Sequence, residues 1–272
     1  MYGHDEINPY VEAWFRWWDQ SLHRNLKQLR ITGGEPMMSQ HTWRLLDWLA
    51  CNPNQSSTRI EITTNLTYNS DLVNRMLDQV SRMRQPVWIY TSGESTGARA
   101  EYVRDGHDWE QWQRNVDQVR TSGVVENVSV TGTMSAVSND GFADWLGYVL
   151  EQKRLHGREW MLISVNLVRF PTFQNIVVLP QHLRDLYAQE IQSIMDRSDI
   201  DQLLGQYEQD HINRYIRYLR GVIEPHNDTD IDHLALQRDF KSFFTQYDAR
   251  RGKDFKKTFP RLAEWYDQIP LT

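Results

Sequence analysis

The chain has 272 residues with 30 Lys and Arg scattered among 36 Asp and Glu, a net charge of −6. This is enough to bury the core of one large domain, and no basic face stands out for nucleic acid or anionic lipid. One cysteine, Cys51, excludes an internal disulfide framework, and no apolar run nears the roughly 20 residues that cross a bilayer. Met1 to Glu6 lack the basic and apolar regions of a signal peptide, so the cytoplasm is the expected compartment.

The first predicted element is an amphipathic helix, Pro9 to Arg24, with Val11, Trp14, Phe15, Trp18 and Leu22 at helical spacing. The same spacing recurs for most of the eleven tryptophans and predicts core packing rather than an aromatic ligand site. Five short β-branched runs read as strands: Leu29 to Thr32, Arg59 to Thr64, Val87 to Ser92, Val128 to Met134 and Met161 to Val168. Between them, helical period covers Gln40 to Ala50, Asp71 to Arg84, Asp108 to Thr121 and Gly141 to His156. This alternation predicts βα units on a parallel sheet, although the opening helix has no strand before it. From Pro180 the pattern is almost wholly helical, over Gln181 to Arg197, Asp199 to Ile223, Asp232 to Tyr247 and Pro260 to Gln268. The expected organisation is an α/β core over 1–180 and a helical C-terminal extension over 181–272.

The most informative motif is Leu29-Arg30-Ile31-Thr32-Gly33-Gly34-Glu35-Pro36, in which a strand signal runs into two glycines, a carboxylate and a proline. At ordinary composition a chance Gly-Gly-Glu-Pro is expected in well under about 1% of chains this long. In a βα architecture the loops after the strands converge on one mouth, so the polar residues there are the candidate site. They are Gly33, Gly34 and Glu35; Thr64 and Asn65; Thr91, Ser92 and Glu94; Thr133, Ser135 and Asn139; and Asn166 and Arg169. The glycines let backbone approach a ligand, and Glu35 offers a carboxylate to an ammonium.

Leu29 to Pro36 resembles the strand and loop of radical S-adenosylmethionine (SAM) enzymes, in which Gly-Gly-Glu-Pro binds the amino group of the SAM methionine. Ile60 to Asn65 resembles that family's next strand, ending in Thr-Asn. Tyr102 to Gly106, with Trp109 and Asn115, resembles the segment whose arginine, here Arg104, reaches the SAM carboxylate. Val130 to Asn139 resembles the family's fifth strand with its later asparagine. Tyr247 to Phe255, followed by Thr258-Phe259-Pro260, is similar to the end of phage-type radical SAM proteins that contain a twitch domain. The resemblance implies a partial, TIM-like (β/α) barrel with a helical C-terminal cap. It also implies a SAM site formed by Gly33, Gly34, Glu35, Pro36, Thr64, Asn65, Thr91, Ser92, Arg104 and Asn139. In the complete protein it implies a [4Fe–4S] cluster, an electron donor, and a 5′-deoxyadenosyl radical acting on a peptide or small-molecule substrate.

The chain departs from that pattern where the cluster should be bound. The family's Cys-x3-Cys-x2-Cys loop after its first strand is absent, and one cysteine cannot supply three thiolates. Loss of a contiguous segment ahead of Met1 would remove both the first strand and this loop. Cys51, at the far end of the helix after Gly-Gly-Glu-Pro, is expected to be a packing thiol. No cysteine follows Pro180 to hold an auxiliary cluster. An inactive SAM-fold binding module is therefore the alternative expectation.

Three other signals carry less. Gly93-Glu94-Ser95-Thr96-Gly97 matches a serine-hydrolase elbow, but this pattern arises by chance in roughly one such chain in ten, and only a short helix follows it. Asp228, Asp230 and Asp232, between His226 and His233, suggest a metal, yet lack the glycine and glutamate of a calcium loop and read better as a helix cap. Arg214, Arg217 and Arg220 share a helix face that reads as solvated.

Overall fold

A computed structural model describes residues 8–222 and 232–270. In chain order its elements are α1 (Pro9–Trp17), α2 (His23–Asn25), β1 (Gln28–Ile31), α3 (Gln40–Cys51), β2 (Arg59–Thr63), α4 (Ser70–Arg82), β3 (Val87–Ser92), α5 (Gly97–Val103) and α6 (Trp109–Ser122). There follow β4 (Asn127–Met134), α7 (Asn139–His156), β5 (Leu162–Leu167), α8 (Gln181–Met195), α9 (Ile200–Leu203), α10 (Gln206–Leu219), α11 (His233–Arg251), α12 (Phe255–Thr258) and α13 (Pro260–Gln268). The five expected strands are present and form one parallel sheet in the order β1-β2-β3-β4-β5. The chain divides into two compact units, Met1–Thr91 with Gln111–Val128, and Ser92–Glu110 with Ser129–Thr272. The helices after Pro180 thus belong to the same unit as β5.

In the first unit, Asn8 caps α1 by accepting from the Tyr10 N–H at 3.0 Å, and Pro9 takes the first helical position, where its missing N–H is not needed. A π-helical turn, Trp18–Leu22, continues α1 into α2. Phe15 and Trp18 are buried, and Trp18 stacks on Trp14 with ring centroids 5.3 Å apart. Ile60, Ile62 and Ile89 are fully buried in β2 and β3. α4 packs through Val73, Met76, Leu77 and Val80, the i, i+3, i+4, i+7 stripe of an amphipathic helix, and Asn69 caps it.

One expectation needs correction. Cys51 is exposed, because it falls on the outer face of α3 with exposed Arg44 and Asp47, while Leu45, Leu46 and Leu49 pack on the other; it is not a packing thiol. Trp17, off the stripe of Val11, Trp14, Phe15, Trp18 and Leu22, is exposed, while Trp18, Trp43, Trp112, Trp145 and Trp265 are buried.

In the second unit, β4 and β5 pair in register from Ser129↔Leu162 to Met134↔Leu167. α7 buries Phe142, Trp145, Leu146, Val149 and Leu150. The expected helix over Asp199 to Ile223 is broken at Leu204-Gly205. Glu208 folds back to accept from the Gly205 N–H at 2.9 Å, and this closes a new helix start. α10 then finishes the outer edge of β5. Ile163 N–H donates to Glu208 Oε1 at 2.9 Å, Val165 N–H to His211 Nδ1 at 3.1 Å, and Arg214 Nη2 to Val165 O at 2.8 Å. Arg214 thus has a structural partner, while Arg217 and Arg220 are exposed. Lys153, fully buried, lies 2.9 Å from the same Glu208 oxygen. Asp140, also fully buried, receives Arg99, Arg261 and the Tyr187 hydroxyl. Asp232 accepts from the N–H groups of Leu234 and Ala235 and so caps α11, as expected; His226, Asp228 and Asp230 lie outside the described residues.

Candidate functional site

β1 ends at Ile31, and the chain turns at once through exposed Thr32, Gly33 and Gly34. Gly33 has φ +140°, a conformation that L side chains rarely adopt, so the motif needs glycine there. Pro36 opens a 3₁₀ turn, Pro36–Met38, and Glu35 caps it by accepting from the Met37 N–H at 3.1 Å. This turns the part-buried Glu35 carboxylate back toward the end of β2. Its Oε1 also accepts from Thr64 Oγ1 at 2.7 Å, and its Oε2 from the Asn65 N–H at 2.8 Å.

Three of the residue groups singled out from sequence are therefore linked. The Asn65 carbonyl accepts from Thr91 Oγ1 at 3.3 Å, and Thr91 Oγ1 in turn accepts from the Trp112 indole N–H at 3.1 Å. Leu66 has φ +54°, a left-handed conformation costing on the order of 1–2 kcal/mol for such a residue. Fully buried Asn115 holds that turn, donating to Leu66 O and Tyr68 O, both at 2.8 Å. The Tyr68 hydroxyl lies 3.2 Å from Thr64 Oγ1, and burial, with Glu35 adding its charge, pushes the phenol up so that it stays protonated. Sequence reasoning missed Tyr68 and Trp112 as supports of the site. Both would have required knowing which loops meet.

A carboxylate fixed by three donors keeps acceptor capacity, since its two oxygens offer about four lone-pair positions. Its charge suits an ammonium group, which would complete those positions with charge-assisted bonds.

The other candidates lie in the second unit. Ser92 ends β3 and is half-buried. Arg104 Nη2 lies 2.8 Å from Oε2 of Glu94, whose side chain is 3% exposed. Next to it, burial and then the Arg104 charge push His107 down to about 4, with Asp108 opposing. Asn139 is buried; its amide donates to Ser135 O at 2.7 Å and to Ala136 O, and its carbonyl accepts from the Tyr215 hydroxyl. Ser95 is 1% exposed and donates to Ser138 O at 3.4 Å, whereas a nucleophile elbow presents its Oγ to substrate.

The residues present do not fit an iron–sulfur cluster. The one cysteine stands alone at the end of α3, and among the described residues no three His, Cys, Asp or Glu side chains are grouped to hold a metal. No helix among them is long and apolar enough to cross a membrane.

No protein-family model, curated protein or solved structure matches this chain. The reading of the site therefore rests on its own chemistry.

Proposed function

We propose that the Gly33–Pro36 loop and the ends of β2 and β3 bind S-adenosylmethionine, with Glu35 holding its ammonium group. The observation that supports this is the Glu35 carboxylate, fixed by Thr64, Asn65 and Met37 across 30 residues of sequence. Gly33 and Gly34 leave open space beside the loop, since a Cβ on either would meet nothing within 4 Å. Thr64, Asn65 and Thr91 keep the carboxylate and its loop in place, so little ordering is left for the ligand to induce. On this reading the strands are staves of a partial (β/α) barrel of radical SAM type, and the helices after Pro180 are its C-terminal cap.

The chain's own residues bind and orient SAM but supply no ligands for a cluster. That favours a second reading, a module that holds SAM without cleaving it. Titration calorimetry tests the shared claim. SAM should bind the intact chain, and Glu35→Ala should weaken it by about tenfold or more, the size of one lost charge-assisted bond. Binding that ignores the substitution removes the proposal.

A further inference from the structure

β1 ends the sheet with its outer backbone unpaired. The Arg59 N–H donates to Lys27 O at 2.9 Å, and the register continues as Leu29↔Ile60 and Ile31↔Ile62. In a parallel pair alternate residues turn both backbone groups to the neighbouring strand, so Lys27, Leu29 and Ile31 face β2 while the N–H and C=O of Gln28 and Arg30 face outward. Among the described residues nothing bonds these outward groups.

On the face that carries Leu29 and Ile31, this edge borders an open cavity of about 400 Å³ walled by Val11, Trp14 and Phe15 of α1 and Leu45 of α3. Fully buried Trp18 stacks on Trp14 with centroids 5.3 Å apart, and its indole N–H has no acceptor among the described residues. Such a buried orphan donor is rare in a folded protein. Tyr10 and Trp17, which neighbour Trp14 on the surface of α1, are 77% and 55% exposed. What the edge lacks is a group that supplies donors and acceptors at strand spacing, with apolar side chains on one face only. An extended polypeptide has that chemistry, and it brings carbonyls beside the Trp14–Trp18 stack. A second copy pairing β1 with β1 does not meet the need, because its own α1 would come over the same edge, and a helix about 10 Å across does not fit a cavity of this size.

We propose that β1 takes up one further strand, an extended segment of a partner protein laid along Gln28–Ile31. Every second side chain of that segment is apolar and fills the cavity between α1 and α3, while those between are polar. Backbone bonds to Gln28 and Arg30 hold the segment, and partner residues beyond it cover Tyr10 and Trp17. The proposal does not depend on SAM binding.

The test is amide hydrogen exchange, read by NMR on the intact chain, during titration with acetyl-Lys-X-Thr-X-Thr-X-Lys-amide peptides in which X is Val, Ile, Leu or Phe. In the chain alone the Gln28 and Arg30 amides should exchange freely, whereas those of Leu29 and Ile31 are already protected. At least one peptide should slow Gln28 and Arg30 saturably, by about tenfold or more, and the same residues with the apolar ones grouped together should not. Gln28→Pro removes one outward N–H at an edge position where proline is tolerated, and should weaken that peptide about tenfold. Should Gln28→Pro fail to fold, Trp14→Ala serves instead: it removes a wall of the cavity and should weaken the peptide likewise. The inference is overturned if no peptide saturates by about 1 mM, if the grouped peptide binds equally well, or if neither substitution alters binding. It is also overturned if Gln28 and Arg30 are slow without peptide, because the chain then covers its own edge, or a second copy does where the protection grows with chain concentration. None of these readouts involves SAM, so the Glu35 proposal can fail without this one, and the reverse.

Discussion

β5 and β1 are both terminal strands of the sheet, and their outward backbone is treated in opposite ways. Along β5, Glu208, His211 and Arg214 of α10, spaced by three, take up the groups of Ile163 and Val165 that no strand pairs. Along β1, Gln28 and Arg30 are exposed, Leu29 and Ile31 are only half-buried, and among the described residues no helix side chain bonds the free edge. Leu29 and Ile31 instead help line an open cavity of about 400 Å³ with Trp14, Phe15 and Leu45. A bare edge is a liability for pairing with other chains, which proteins usually cover. The covered strand anchors the fold, while the uncovered one leads directly into the Gly33–Pro36 loop and carries Arg30.

The largest expected effect lies on the covered edge. Glu208→Ala would leave Lys153 buried without its partner charge and free two backbone N–H groups, at a cost of about 3–5 kcal/mol in urea unfolding. A loss below 1 kcal/mol would mean that α10 does not secure β5. A matched pair of truncations compares the edges themselves: Ile163→Ala, at a site 1% exposed, should cost about 2–4 kcal/mol, and Leu29→Ala, half-buried, about 1. Equal costs would break the contrast.

A smaller effect is expected from pH, through His107 in the second unit. Its folded value of about 4 lies below the ordinary 6.5. Between those values the unfolded chain binds more protons than the folded one, so stability should fall as pH drops from about 6.5 toward 4. The His107 ring signals should show no titration near pH 6.5 in NMR, and His107→Gln should flatten the decline in stability.

All five strands were legible because each is a short β-branched run between turn residues. That Glu35, Thr64 and Asn65 lie close together was also legible, since all three follow strands that a parallel sheet brings side by side; that Thr64 and Asn65 bond Glu35 itself was not. The break at Gly205 was missed, although Gly-x-x-Glu is a capping signal, because helical period continues across it. Arg30 and Glu61 were not read as a pair. Alternation in Arg59-Ile60-Glu61-Ile62 puts both charges of β2 on one face, but register alone decides which residue of β1 meets them. Cys51 was misplaced although the helical pattern held the answer, since it stands seven residues after Arg44 and four after Asp47, on the charged face of α3.

The central claim is that Glu35 holds an ammonium, and one comparison addresses it directly. Affinities for SAM and for 5′-methylthioadenosine, which lacks the amino-acid portion, are measured by calorimetry on the intact chain and on Glu35→Ala. The account predicts that the substitution weakens SAM by about tenfold or more and leaves methylthioadenosine unchanged, because only SAM presents the group that Glu35 receives. An equal loss for both ligands, or no loss for either, would contradict it.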